Sequence, residues 1–203
     1  MKAALAALFA VVLATASPST AGWQPQPPQN LVQNPNATED YRDWQARNDA
    51  AVEPCDGDPC FVVRNFGIFG QRVELPPGSV GQFLVMIGAG TAERVRPNKV
   101  ITGLPSLYGQ VIADDARRIV AYLQGDFTLG WVPKPSVWVK LWGIFRIPVD
   151  AKTVALSLNQ AQGAGAPPDG TAARFDDIGL YILPTELEAK NFVNAWTSPR
   201  LRQ

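Results

Sequence analysis

Residues Val137 to Ile147 (VWVKLWGIFRI) carry the clearest chemical pattern in the chain. At a two-residue period, Val139, Leu141, Phe145 and Ile147 fall on one face and Trp138, Lys140, Trp142, Ile144 and Arg146 on the other. The first set reads as core. The second interleaves two indoles with two cations. That mixture suits a sheet face that binds a ligand, with flat rings for stacking and N–H donors for hydroxyl groups. A loop or terminal helix covering Trp138 and Trp142 is the competing explanation, because aromatic residues are core residues first. Tyr122, Gln124 and Asn159 add polar contacts if their strands lie beside the tryptophan strand.

Catalytic chemistry is narrowed mainly by elimination. The 203 residues contain no His. Ser-His and Cys-His nucleophiles and His-ligated metals are therefore excluded. A hydrolase acting on glycosidic bonds needs two carboxylates roughly 5 to 9.5 Å apart. Glu74, Asp114-Asp115, Asp126 and Asp176-Asp177 are available, and no spacing singles out a pair. A lyase-like arrangement of Tyr108 or Tyr122 with Arg117 or Arg118 is equally unselected by the pattern.

Cys55 and Cys60 bracket Asp56-Gly57-Asp58-Pro59. In an exported chain this pair forms a local disulfide that stiffens one turn between two extended segments. A thiol redox site usually has two intervening residues, not four. A metal clip would lack a second ligand pair.

These side chains need strands to position them. Phe61–Val63, Gln71–Leu75, Gln82–Ile87, Arg118–Gln124, Val137–Ile147, Thr153–Leu158 and Phe175–Leu183 are short apolar runs bounded by Pro, Gly, Asn or Asp. Pro76-Pro77-Gly78 and Pro167-Pro168-Asp169-Gly170 are turn chemistry. Gln160 to Thr171 is a long, polar, Gly/Ala-rich connection, either a lip over a site or a plain link. The pattern predicts an all-β domain, a β-sandwich or jelly roll, over residues 30–184. Thr185-Glu186-Leu187-Glu188 has capping-box spacing, so a short C-terminal helix occupies residues 185–203 with its tail, stopping near Ser198-Pro199. Phe192 and Trp196 on one stripe of it are expected to dock on the domain.

The ends and the composition set the context. Lys2 precedes an apolar run from Ala3 to Ala14, too short for a membrane helix of about 20 residues. Ala14-Thr15-Ala16 and Ser19-Thr20-Ala21 offer cleavage sites, so residues 1–21 read as a secretory signal peptide. Residues 22–29 form a Pro/Gln-rich linker. Eighteen basic residues balance 18 acidic ones, which argues against nucleic acid as a partner, and no long apolar run predicts membrane insertion. The expected location is secreted or periplasmic.

Four segments in order extend the reading. They are Asn30-Leu31-Val32-Gln33-Asn34-Pro35 with Trp44, Gln71 to Gly78, Trp138 to Pro148, and Ala173-Arg174-Phe175-Asp176-Asp177-Ile178-Gly179-Leu180-Tyr181. Together they resemble the galactose-binding-like jelly rolls, which include carbohydrate-binding module families four, nine and twenty-two and the F-box-associated domain. Ile101 to Gly109 and Tyr122 to Gly125 resemble segments of exported bacterial proteins and supply no activity. The resemblance implies a secreted, non-catalytic recognition module for glycan. The alternative is an adhesion or structural protein that binds another extracellular protein, with a polysaccharide-degrading enzyme third. It also implies a structural calcium ion, held by Thr38 or Glu39 near the first strand and by Asp176 or Asp177 in the last. Hard oxygen ligands suit that ion. The family's usual Phe-Glu opening is replaced here by Ala37-Thr38. Asn36-Ala37-Thr38 is also an N-glycosylation sequon, which would compete for Thr38.

Overall fold

The computed structural model describes residues 27–93, 104–113, 118–125, 136–161 and 171–202. The expected signal peptide, the first part of the linker and most of the 160–171 connection lie outside these residues.

Among the described residues the strands are β1 (Thr38–Tyr41), β2 (Gln45–Arg47), β3 (Ala50–Cys55), β4 (Asp58–Arg64), β5 (Ile68–Glu74), β6 (Phe83–Ala92), β7 (Leu104–Ala113), β8 (Ile119–Gly125), β9 (Val139–Arg146), β10 (Ala151–Ala161) and β11 (Ala172–Leu183). All but β1 make two five-stranded sheets, one ordered β2-β5-β10-β7-β8 and the other β3-β4-β11-β6-β9. All pairings within them are antiparallel. This is the expected β-sandwich jelly roll.

Alternation along each strand builds the core between the sheets. Phe69, Leu107, Leu123 and Leu156 point in from the first sheet, and Phe61, Leu84, Leu141 and Phe175 from the second. Each is essentially fully buried, which stabilises the fold by about 1.5–3 kcal/mol per side chain. Val139, Leu141, Phe145 and Ile147 all join this cluster, as their parity predicts. All seven expected strand segments form.

Strands β1, β2, β3 and β7 are additional, and their sequences explain why pattern reading passes over them. Strands β1 and β2 are exposed and polar. Strand β3 contains Pro54, tolerated because β3 is an edge strand. Strand β7 is interrupted by Pro105 near its start and by Gly109. Gly109 lies opposite Leu123 on β8, whose side chain fills the space a Cβ would take.

The N-terminal segment is tied to the last strand by a side-chain amide. Asn30 donates from Nδ2 to the Ile178 carbonyl at 3.0 Å and accepts from the Leu180 N–H at 3.0 Å. The Leu31 N–H then donates to the Leu180 carbonyl. Gln71, buried on β5, accepts from the Gln33 N–H and donates back to the Gln33 carbonyl. Trp44 donates to the Gln33 and Asn34 carbonyls and packs on Phe61. The Asn30, Gln71 and Trp44 segments singled out by sequence therefore meet at one seam.

Helix α1 spans Glu186–Ala195. The Thr185 hydroxyl accepts from the Glu188 N–H and donates to the Glu188 carboxylate, as the capping-box spacing predicts. Ala189 and Val193 bury against Val85, Ile87 and Leu183, so the helix lies on the outer face of the second sheet. Phe192 stacks on Tyr181 with centroids 4.6 Å apart. Residues Pro199–Arg202 then form one 3₁₀ turn.

Candidate functional site

Pairing registers place the residues proposed for ligand contact in three separate environments. Lys140, Trp142, Ile144 and Arg146 do share the outer face of the second sheet, opposite Ala89, Ile87, Val85 and Phe83 of β6. Tyr122, Gln124 and Asn159 lie on β8 and β10 of the first sheet. The expected composite site therefore does not form: β9 borders β6, and the polar residues meant to assist it belong to the opposite layer.

Trp138 is a correction. It is 8% exposed, just ahead of β9, and packs with the Cys55–Cys60 pair and Ala172. Its indole N–H donates to Asp56 at 3.3 Å, and the Arg200 guanidinium sits 5.2 Å from its ring centroid. Both ring and N–H are committed to the fold. Lys140 is a second correction. Its ammonium donates to the Val193 carbonyl at 2.8 Å, at the C-terminal end of α1, and approaches the Trp196 ring. The last turn of α1 contains no basic residue, so the sheet provides the cation that its dipole favours. Burial holds this ammonium below its usual range. Trp142 is different: it is 39% exposed and borders α1 without being covered by it. Arg146 is exposed at the end of the same strand.

The first sheet presents an outer face on which no described helix lies. Three rows cross it. One runs Gln45, Gly70, Ser157, Tyr108, Gln124. The next runs Arg72, Ala155, Gln110, Tyr122. The third runs Arg47, Ile68, Asn159, Ser106. Gly70, Ala155 and Ser157 are small, so the middle strands form a floor. A shallow trough of about 410 Å³ lies there, lined by Gln45, Arg47, Arg72, Ala155 and Ser157. Tyr122 is 64% exposed beside Tyr108, with ring centroids 6.1 Å apart. From β8 to β5 is three strand spacings, about 14 Å. Arg47 and Arg72 stand on the far side, and neither forms an ion pair among the described residues.

Sequence reading found Tyr122, Gln124 and Asn159 of this face. It named Tyr108 only for lyase chemistry and passed over Arg47, Arg72 and Gln110. The alternation Ser106, Tyr108, Gln110 is a readable signal, but Pro105 and Gly109 hide the strand that carries it.

Among the described residues, the carboxylates named for hydrolysis are split between the two sheets. Glu74 is the single acidic residue on the five strands of the first sheet. Asp176 lies in the second sheet, and Asp114, Asp115, Arg117 and Asp126 lie outside the described residues.

The residues proposed for calcium do not fit that ion. Asp176 is 6% exposed; one oxygen accepts from Arg200 Nε at 2.6 Å and the other from the Asp177 N–H at 2.9 Å. Burial pushes the Asp176 carboxyl up, and the Arg200 hydrogen bond pulls it back. Asp177 accepts from the Ser198 hydroxyl, and Glu39 pairs with Arg42. Thr38 is left with a long contact to Asn34 at 3.5 Å. A guanidinium already holds the position beside Asp176, and no group of three carboxylates or thiols converges elsewhere among the described residues.

The Cys55–Cys60 disulfide forms, with the two Cα atoms 5.8 Å apart. It closes the β3–β4 hairpin across Asp56 and Gly57, both with positive φ, the conformation a two-residue turn of this hand requires.

No family model matches the sequence, and no curated protein matches it. Solved structures share its fold. The N-terminal CBM22-1–CBM22-2 tandem domain of Xyn10C from Paenibacillus barcinonensis superposes with a TM-score of 0.52 at 16% identity, over 84% of this chain and 53% of that one. The enzymatically active domain of tailspike protein 4 from bacteriophage CBA120 gives 0.51 at 11% identity, over 76% of this chain and 21% of that one. This chain thus spans about half of the tandem and a fifth of the tailspike chain. The likeness is one of fold, a β-sandwich jelly roll. No described helix is long and apolar enough to cross a membrane.

Proposed function

We propose that the protein is a non-catalytic, extracytoplasmic glycan-binding module that takes an oligosaccharide along the trough of the first sheet. The observation that carries this is the exposed Tyr122 ring beside half-buried Tyr108 on one side of the outer face, with Arg72 and Arg47 in a trough floored by small residues on the other. A pyranose offers an apolar C–H face to a phenol ring, and its hydroxyls need planar donors and acceptors. Gln110, Asn159, Gln45 and the two guanidiniums are of that kind. A guanidinium without an acidic partner also matches a carboxylate bidentately, so chains bearing uronate suit this face best. A single carboxylate on its strands supports binding over cleavage. The shared fold with a tandem of carbohydrate-binding modules supports the same reading. The disulfide agrees with an oxidising location.

The test is a glycan array that includes oligogalacturonates, followed by titration of Tyr122→Ala and Arg72→Ala. Each should weaken binding at least tenfold with an unchanged melting temperature, and added salt should weaken it further. A silent array with retention on cell-envelope fractions would favour the adhesion reading. Shortening of an oligosaccharide on the array would restore the enzyme.

A further inference from the structure

A second groove lies on the opposite face of the sandwich, between β9 and α1. Its volume is about 640 Å³, within the range of small-ligand sites. The two walls differ in chemistry. Phe83, Trp142 and Ile144 line the sheet side. Glu186, Lys190 and Asn194, four residues apart on one stripe of α1, line the helix side, above Val193.

Trp142 explains why this is more than a seam of the fold. Beneath α1, Val85, Ile87, Leu183, Ala189 and Val193 are buried in one cluster, while Leu187 faces solvent on the helix itself. Trp142 lies opposite Ile87 on an edge strand, yet two-fifths of its surface stays open to solvent. The polar wall is electrically balanced, because Lys190 pairs with Glu186 at 2.6 Å. An ion pair beside an amide offers donors and acceptors with no net charge. That combination suits neither a basic nor an acidic partner, and the polar wall would leave half of an apolar peptide's contacts unmatched.

We infer that this groove is a second saccharide site, specific for neutral sugar rings, with one ring stacked on the Trp142 indole and its hydroxyls meeting Glu186, Lys190 and Asn194. It is independent of the trough: the two lie on the outer faces of different sheets. The protein then holds two glycan chains at once, an acidic one on the first sheet and a neutral one beside α1. Such a bivalent module links polysaccharides of different charge, and avidity raises retention on a mixed matrix well above either single affinity.

The experiment is a calorimetric titration of the full protein with xylohexaose, cellohexaose and mannohexaose, repeated with oligogalacturonate present. The expected result is one neutral site per chain with at least one hexaose, unaffected by oligogalacturonate. Trp142→Ala should weaken it at least tenfold, while Tyr122→Ala leaves it within twofold. Trp142→Phe keeps an aromatic face and should retain part of the affinity. Lys190→Ala with Glu186→Gln changes only exposed helix residues and should lower it several-fold without moving the melting temperature. Neutral binding that survives Trp142→Ala, or no binding of any of the three hexaoses, overturns the inference. So does a tenfold loss of hexaose affinity in Tyr122→Ala alone. Loss of oligogalacturonate binding with neutral binding intact would sink only the trough reading. An amphipathic peptide taken up where sugars are refused would mark the groove as a protein-docking surface.

Discussion

Arg200 donates from Nε to Asp176 at 2.6 Å, with both side chains more than nine-tenths buried. The same guanidinium donates to the Cys55 carbonyl at 2.5 Å and reaches the Asp58 and Pro59 carbonyls at 3.4 and 3.5 Å. The Pro199–Arg202 turn is thereby fastened both to β11, where its register against β6 shifts between Asp176 and Gly179, and to the disulfide-closed hairpin. A guanidinium is suited to this task because its planar fork serves several acceptors at once.

Arg200→Met should destabilise the protein by about 3–5 kcal/mol, since it leaves a buried carboxylate and three carbonyls without their donor. Pairing it with Asp176→Asn should recover part of the loss. Urea denaturation of both variants checks this, and a cost under about 1 kcal/mol for Arg200→Met would show that the network contributes little.

Acid should remove one contribution in a defined window. Arg64 holds Glu53 through two hydrogen bonds of 2.6 Å. Those bonds, opposed by burial, set the Glu53 carboxyl below its ordinary value of 4.5. Its stabilising effect is therefore complete above that ordinary value and is lost as pH falls through the lowered folded value. The pair is about one-third exposed, so the effect is below about 1 kcal/mol. Glu53→Gln should flatten this part of the acid-unfolding curve and leave stability near pH 7 lower than in the parent. A curve of unchanged shape would show that other carboxylates govern acid unfolding.

Lys140→Met should loosen α1 more than the sandwich. Removing the donor to Val193 costs about 0.5–1 kcal/mol in helix-end stabilisation, while the methionine stem keeps the packing. Hydrogen exchange should speed in residues 189–196 and stay unchanged in β4, β6 and β11. Uniform acceleration would place Lys140 in the global core instead. Because Lys140 is engaged by the helix, the substitution should leave oligogalacturonate affinity unchanged.

Calcium should be without effect on the melting temperature. The Asp176 oxygens are already occupied by Arg200 and the Asp177 N–H, and displacing a guanidinium from a buried site is unfavourable. A rise of several degrees on adding millimolar calcium, reversed by a chelator, would reveal a site that these donors do not suggest.

Much of the architecture is written in local spacing. The β9 alternation put Val139, Leu141, Phe145 and Ile147 in the core because successive Cβ atoms on a strand must oppose one another. The Thr185–Glu188 cap and the Cys55–Cys60 closure were equally readable, since each joins residues three to five apart. Which strands become neighbours is a different kind of fact. Arg72, Ala155, Gln110 and Tyr122 form one row only because β5, β10, β7 and β8 pair in that order, and Trp142 was sent to the opposite face by the pairing of β9 with β6. Arg200 meets Asp176 across 24 residues and Cys55 across 145. Such choices follow from the total apolar burial of the folded chain and the satisfaction of its buried polar groups, sums over distant segments that no short window of sequence contains.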